Sequence, residues 1–115
     1  MPKAQQKISI VFYRTKAGHE VVRDRLKGLE EADRRVIGQD LMRVQFRWPI
    51  GMPLCRSLGE GPWEVRSDLP GNRIARVVLC FAEERLVALH GFIKKSRKTP
   101  DNVLALCRKR IWEFK

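Results

Sequence analysis

At 115 residues the chain is long enough to bury one core and too short for two, so a single domain spanning residues 1–115 is expected. Its 24 Lys and Arg against 13 Asp and Glu leave a formal charge of +11, which directs attention to a polyanion or an acidic protein partner. A hydrophobic content of 43% without a polar tract excludes a disordered chain.

The charge excess is not a detachable tail. Twelve basic residues lie on each side of Gly61, against seven acidic residues before it and six after. Cys55, Cys80 and Cys107 are an odd set with no CxxC pair and no histidine at zinc-ligand spacing, so neither a disulfide framework nor a metal site is expected. The N-terminus lacks the apolar run of a signal peptide, and no apolar segment approaches the length of a membrane span. These features make the cytoplasm the expected compartment, with no membrane partner.

Ile8, Ile10 and Phe12 alternate with Ser9, Val11 and Tyr13, the period of a first strand. After Ala17-Gly18 the period changes: Val22, Leu26 and Leu29 recur at helical spacing with Arg23, Asp24, Arg25 and Lys27 on the other face. A second helix follows, with Ile37, Leu41, Val44 and Trp48 as its stripe. Glu30, Glu31 and Asp33 sit at its positive dipole end, and Pro49 stops it. The segment from Pro49 to Pro62 reads as an irregular connection, long enough to hold a short piece of structure or to flank a site.

Three strands come next, over 63–68, 73–81 and 86–93, with turns at Leu69-Pro70-Gly71-Asn72 and Ala82-Glu83-Glu84. The last two strands are nearly continuously apolar, as central strands covered on both faces are, and the short turns make consecutive strands antiparallel. Thr99, Pro100 and Asp101 supply a cap, a first helical residue and a dipole complement for a closing helix whose stripe is Val103, Cys107, Ile111 and Phe114. The order β, α, α, β, β, β, α predicts an α+β domain, a helical hairpin on one face of a mostly antiparallel sheet and a C-terminal helix packed elsewhere.

Four cations, Lys94, Lys95, Arg97 and Lys98, end the last strand and suit a backbone phosphate as well as they suit a solvated loop. Arg66 alternates with Glu64 and Asp68 on a polar strand face, where a cross-strand ion pair is the plain alternative. Arg73 opens a strand beside Ala75, Val77, Leu79 and Phe81, and Arg76 falls on the opposite face. His90 reads as a core histidine, with general-base chemistry the lesser reading. The sequence contains no Ser/His/Asp arrangement, P-loop or dinucleotide-binding glycine motif.

Trp63-Glu64-Val65-Arg66, Gly71-Asn72-Arg73-Ile74, Leu89-His90-Gly91-Phe92-Ile93-Lys94-Lys95 and Lys98-Thr99-Pro100 together resemble the HigB-like, phage-derived branch of the RelE/ParE toxin superfamily. The last two pieces are the specific ones. The resemblance implies a RelE-like antiparallel sheet flanked by helices and a metal-independent mRNA endoribonuclease (an mRNA interferase) that inhibits translation on the ribosome. It implies a HigA-like helix-turn-helix antitoxin as partner, operator DNA reached only through that antitoxin, and no cofactor. In the chemistry it implies, the RNA's 2′-hydroxyl attacks the neighbouring phosphate and cations stabilise the phosphorane.

By correspondence, Arg66, Arg73, Lys94 and Lys95 are the expected catalytic residues, the two arginines holding the scissile phosphate and either lysine neutralising charge or handling a proton. Arg97, Lys98, Arg76 and Arg108 are the expected contacts to RNA or the ribosome. Tyr13, the sole tyrosine, lies far in sequence from the last helix, where some relatives carry a tyrosine as candidate base. The alternatives are a ParE-like gyrase inhibitor on the same fold and a non-catalytic basic nucleic-acid-binding prophage protein.

Overall fold

A computed structural model describes residues 7–94 and 99–114. The elements are β1 (Ile10–Phe12), α1 (Val21–Lys27), α2 (Glu31–Arg47), β2 (Cys55–Ser57), β3 (Trp63–Leu69), β4 (Arg73–Ala82), β5 (Arg85–Lys94) and α3 (Asp101–Phe114). They form the expected α+β architecture. The strands make one sheet in the order β1-β5-β4-β3-β2, antiparallel throughout except that β1 runs parallel to β5. The long Pro49–Pro62 connection contains β2, which pairs Cys55 with Val65 and Ser57 with Trp63.

Strand alternation divides the core into two layers. On one face Val65, Leu69, Ala75, Val77, Leu79, Leu86 and Ala88 pack against Val22 of α1 and Ile37, Leu41 and Val44 of α2. On the other, Val78, Cys80, Val87, Leu89 and Phe92 pack against Val103 and Cys107 of α3, with Tyr13 beside them. The C-terminal helix therefore covers the sheet face opposite the helical hairpin. All three cysteines are free and buried; burial pushes the Cys55 thiol up to about 11 and that of Cys107 to about 12. They are packing residues with little thiolate character.

The two hairpin turns differ in their chemistry. Between β3 and β4 the left-handed positions fall to Gly71 and Asn72, at φ 77° and 59°, residue types that tolerate that region well. Between β4 and β5 they fall to Glu83 and Glu84, at φ 53° and 62°. Two successive left-handed residues give the twist that a two-residue hairpin needs, but a Cβ there carries a steric cost that Asn-Gly would lessen.

One irregularity decides the geometry of β5. Val78 pairs with His90 but the next residue, Leu79, pairs with Ala88, so Leu89 is an extra residue in β5. An inserted residue reverses the alternation beyond it. Leu86 and Ala88 accordingly face the hairpin helices, while Phe92 faces α3. His90, which a strict alternation from Leu86 and Ala88 would put on their face, pairs with Val78 and is turned to the α3 side.

Candidate functional site

The two expected arginines are held differently. Leu69 pairs with Arg73 and Arg66 pairs with Arg76, and directly opposed residues share a sheet face. Arg73 thus belongs to the hairpin face, while the Arg66 side chain, just past the end of the β2 pairing, lines a cleft with residues of α2. Arg73 donates from Nη1 and Nη2 to the two carboxylate oxygens of Asp33, at 2.9 and 3.0 Å, and from Nε to the Pro70 carbonyl at 3.0 Å. This two-pronged pair raises the Arg73 pKa and ties the start of β4 to the first turn of α2. For the expected shared grip of Arg66 and Arg73 on one phosphate, the structure shows different surroundings: Asp33 occupies the Arg73 fork, and Arg66 stands in a cleft beside α2.

Arg76, expected at the RNA surface, is 1% exposed. Its Nη1 lies 2.5 Å from Oε1 of the fully buried Glu64, and the Thr99 hydroxyl donates to the other oxygen of that carboxylate. The placement corrects the expectation on physical grounds. A guanidinium inside the protein against a carboxylate is neutralised and out of reach of RNA, and here it fastens the start of α3 to the sheet. The ion pair anticipated for Arg66 is the one that Arg76 makes. Arg108, exposed on α3, makes a surface pair with Glu60 at 3.3 Å. Lys95, Arg97 and Lys98 lie outside the described residues, as does the side chain of Lys94, whose backbone closes β5 opposite Ile74. Arg66 lines an open polar cleft with Asp68 and with Gln39, Asp40 and Arg43 of α2, and makes no ion pair with a carboxylate among the described residues.

A second cationic group forms where β1 ends. β1 covers β5 only from Leu86 to Ala88, which leaves the outer carbonyls beyond it without a strand partner. Arg110 of α3 donates to the Leu89 carbonyl at 2.5 Å, and Arg25 of α1 donates to the Gly91 carbonyl at 3.0 Å. Between these two carbonyls in sequence lies His90, and Val21, Val22, Arg25, His90, Gly91 and Arg110 line a notch of about 100 Å³. The His90 ring sits 5.7 Å from that of Phe92. Burial, then Arg110, then Arg25 lower its pKa, so the imidazole is held neutral.

Arg110 also lies over the Tyr13 ring, 4.9 Å from its centroid, and the Tyr13 hydroxyl donates to Glu113 Oε2 at 3.3 Å. The parallel pairing of β1 with β5 thus carries Tyr13 against the last helix despite their separation in sequence. Burial, with the Glu113 carboxylate, raises the Tyr13 pKa. Arg25 and Arg110 escaped the sequence reading because each is one basic residue among several on its helix, and nothing in the β5 sequence announces the bulge that selects them.

Among the described residues, no three His, Cys, Asp or Glu side chains come together where they could hold a metal ion. No helix of the described residues is long and apolar enough to cross a membrane. No curated protein matches the chain. A family model described as phage-derived protein Gp49-like (DUF891) matches residues 24–111, a span that takes in the second half of α1, all of α2, the bulged strand and most of α3. The chain belongs to this Gp49-like phage-derived family, a toxin-like family of the RelE/HigB type.

Proposed function

We propose that the protein is the toxin of a type II toxin–antitoxin pair, a ribosome-dependent mRNA endoribonuclease of the HigB kind acting in the cytoplasm as a single domain. The observation that carries this reading is membership of the Gp49-like family over residues 24–111. The +11 charge supports it. Messenger and ribosomal RNA would draw such a body in by electrostatic attraction, and an RNA 2′-hydroxyl provides its own nucleophile. The cleavage then needs donors for the phosphorane charge and a group to take a proton, both within the reach of Arg, Lys and His side chains.

In this reading Arg66, which has no carboxylate partner among the described residues, contacts an RNA phosphate. Lys94, the last residue of β5, and Lys95, Arg97 and Lys98, which follow it in sequence, are the further expected RNA contacts, with Arg108 beside them in that expectation. A HigA-like helix-turn-helix antitoxin is the expected partner, since a strongly cationic surface in a cell full of RNA requires masking. Expression in a host with and without the neighbouring antitoxin gene tests the pairing: growth arrest that the antitoxin relieves supports it, and unrestricted growth at high expression contradicts it.

A further inference from the structure

The notch at the open edge of β5 offers a bland explanation first. Bare carbonyls at a sheet edge attract donors, and Arg25 and Arg110 each satisfy one, which discourages edge-to-edge pairing. Edge capping accounts for one N–H of each guanidinium. A guanidinium carries five donors, and among the described residues neither arginine lies in an ion pair with any carboxylate. The contrast within the molecule is sharp: Arg73 and Arg76 have the carboxylates of Asp33 and Glu64, whereas Arg25 has the Gly91 carbonyl and Arg110 the Leu89 carbonyl and the face of the Tyr13 ring. Two unneutralised guanidinium groups held on either side of one half-buried imidazole form an anion site with a proton acceptor in it.

The bulge strengthens the point. Without Leu89 as an extra residue, His90 would face the hairpin helices; with it, His90 faces α3 and Arg110. Bulges recur next to active sites because they re-aim one side chain at little cost to the sheet. The charged groups facing His90 are Arg25 from α1 and Arg110 from α3, and both disfavour the imidazolium. A bound phosphodiester would oppose them, favouring proton uptake when substrate is in place.

We propose that this notch is a phosphodiester-binding centre for single-stranded RNA, in which Arg25 and Arg110 take the phosphate oxygens and His90 accepts the 2′-hydroxyl proton. The proposal rests on the ribonuclease reading above and assigns its chemistry to residues apart from the Arg66 and Lys94 to Lys98 contacts. The 2′-oxygen bonds to phosphorus as its proton passes to the imidazole, and the bond from phosphorus to the 5′-oxygen breaks. The leaving 5′-oxygen takes a proton from solvent and the imidazolium later returns its own. The products are a 2′,3′-cyclic phosphate and a 5′-hydroxyl, with no water consumed and no oxidant required.

The test compares wild type with His90→Asn, Arg25→Ala, Arg25→Lys and Arg110→Ala. Cleavage is measured on mRNA in a translating system, binding on a fully 2′-O-methylated RNA oligonucleotide, and folding by urea denaturation. His90→Asn is expected to cut at least about 100-fold more slowly while binding the oligonucleotide like wild type. It should also lose the acid limb of the kcat/KM profile, along which wild-type activity rises with pH through a midpoint below 6.5, the ordinary histidine value. Arg25→Ala and Arg110→Ala should each weaken binding roughly tenfold, with Arg25→Lys recovering part. Cleavage by a folded His90→Asn at the wild-type rate, or with its acid limb intact, overturns the proposal. Where His90→Asn does not fold, the exposed Arg25 carries the test, and unchanged binding and cleavage in Arg25→Ala overturn it. A wild type that cuts nothing, yet binds the oligonucleotide through Arg25 and Arg110, overturns the ribonuclease reading and the role of His90 while supporting the phosphate site.

Discussion

Replacing Arg76 with alanine separates a structural arginine from an RNA-reading one. Its side chain and that of Glu64 are 1% and 0% exposed, with 2.5 Å between Nη1 and Oε1. Without Arg76 the carboxylate stays buried with the Thr99 hydroxyl as its remaining strong donor. Breaking one side of such a pair costs about 3–5 kcal/mol, whereas truncating a surface arginine changes stability by less than about 0.5 kcal/mol. A domain of this size is stable by only about 6–17 kcal/mol, so the loss is a large share of the total. Urea denaturation with linear extrapolation reads it directly. The double replacement Glu64→Leu with Arg76→Met leaves no charge stranded and should recover much of the loss, less about 1 kcal/mol for the orphaned Thr99 hydroxyl. A loss below about 1 kcal/mol in Arg76→Ala, or a double variant no better than the single one, would refute the reasoning.

Replacing Glu83-Glu84 with Asn-Gly should stabilise the β4–β5 hairpin by about 1 kcal/mol, because both positions have positive φ; a lower urea midpoint would count against it. Because the folded state lowers the His90 pKa from 6.5, the unfolded chain binds more protons there, so that contribution to stability is present above about pH 6.5 and lost as pH falls through the interval below it. His90→Gln should accordingly lose less stability than wild type between about pH 7.5 and pH 5.5, by urea midpoints. Arg66→Ala should leave the urea midpoint unchanged but weaken single-stranded RNA binding and reduce the slope of log affinity against log salt by about 0.7, the share of one phosphate contact; an unchanged slope removes Arg66 from the interface.

Much of the fold was legible because its signals are periodic. Ile37, Leu41 and Val44 mark α2 by spacing, and the runs around Val77 and Leu89 mark covered strands, so α+β layering follows from the pattern alone. β2 was hidden, since Cys55, Arg56 and Ser57 carry no alternation of apolar and polar residues and pair only because β3 lies alongside. The destination of α3 depended on which sheet face the hairpin left bare.

The site was less legible, for a reason that turns on single residues. Alternation correctly put Arg73 and Arg76 on opposite faces, but the pairing of Arg66 with Arg76 comes from the β3–β4 register, which the sequence does not display. Asp33, read as a dipole complement, is also the acceptor for Arg73. The Leu89 bulge inverts the face of every residue after it, so counting by twos from Leu86 places His90 on the wrong side. A parallel β1 then brings Tyr13 to α3 across most of the chain's length, a proximity no local pattern encodes.

The central claim is that this basic Gp49-like protein cuts mRNA on ribosomes, and one measurement tests it most directly. Purified protein is added to a translating extract and to the same message without ribosomes, and RNA ends are mapped in both. The account predicts codon-proximal cuts carrying 2′,3′-cyclic phosphate and 5′-hydroxyl ends in the translating sample alone. Intact message in an extract where the folded protein is present would contradict it.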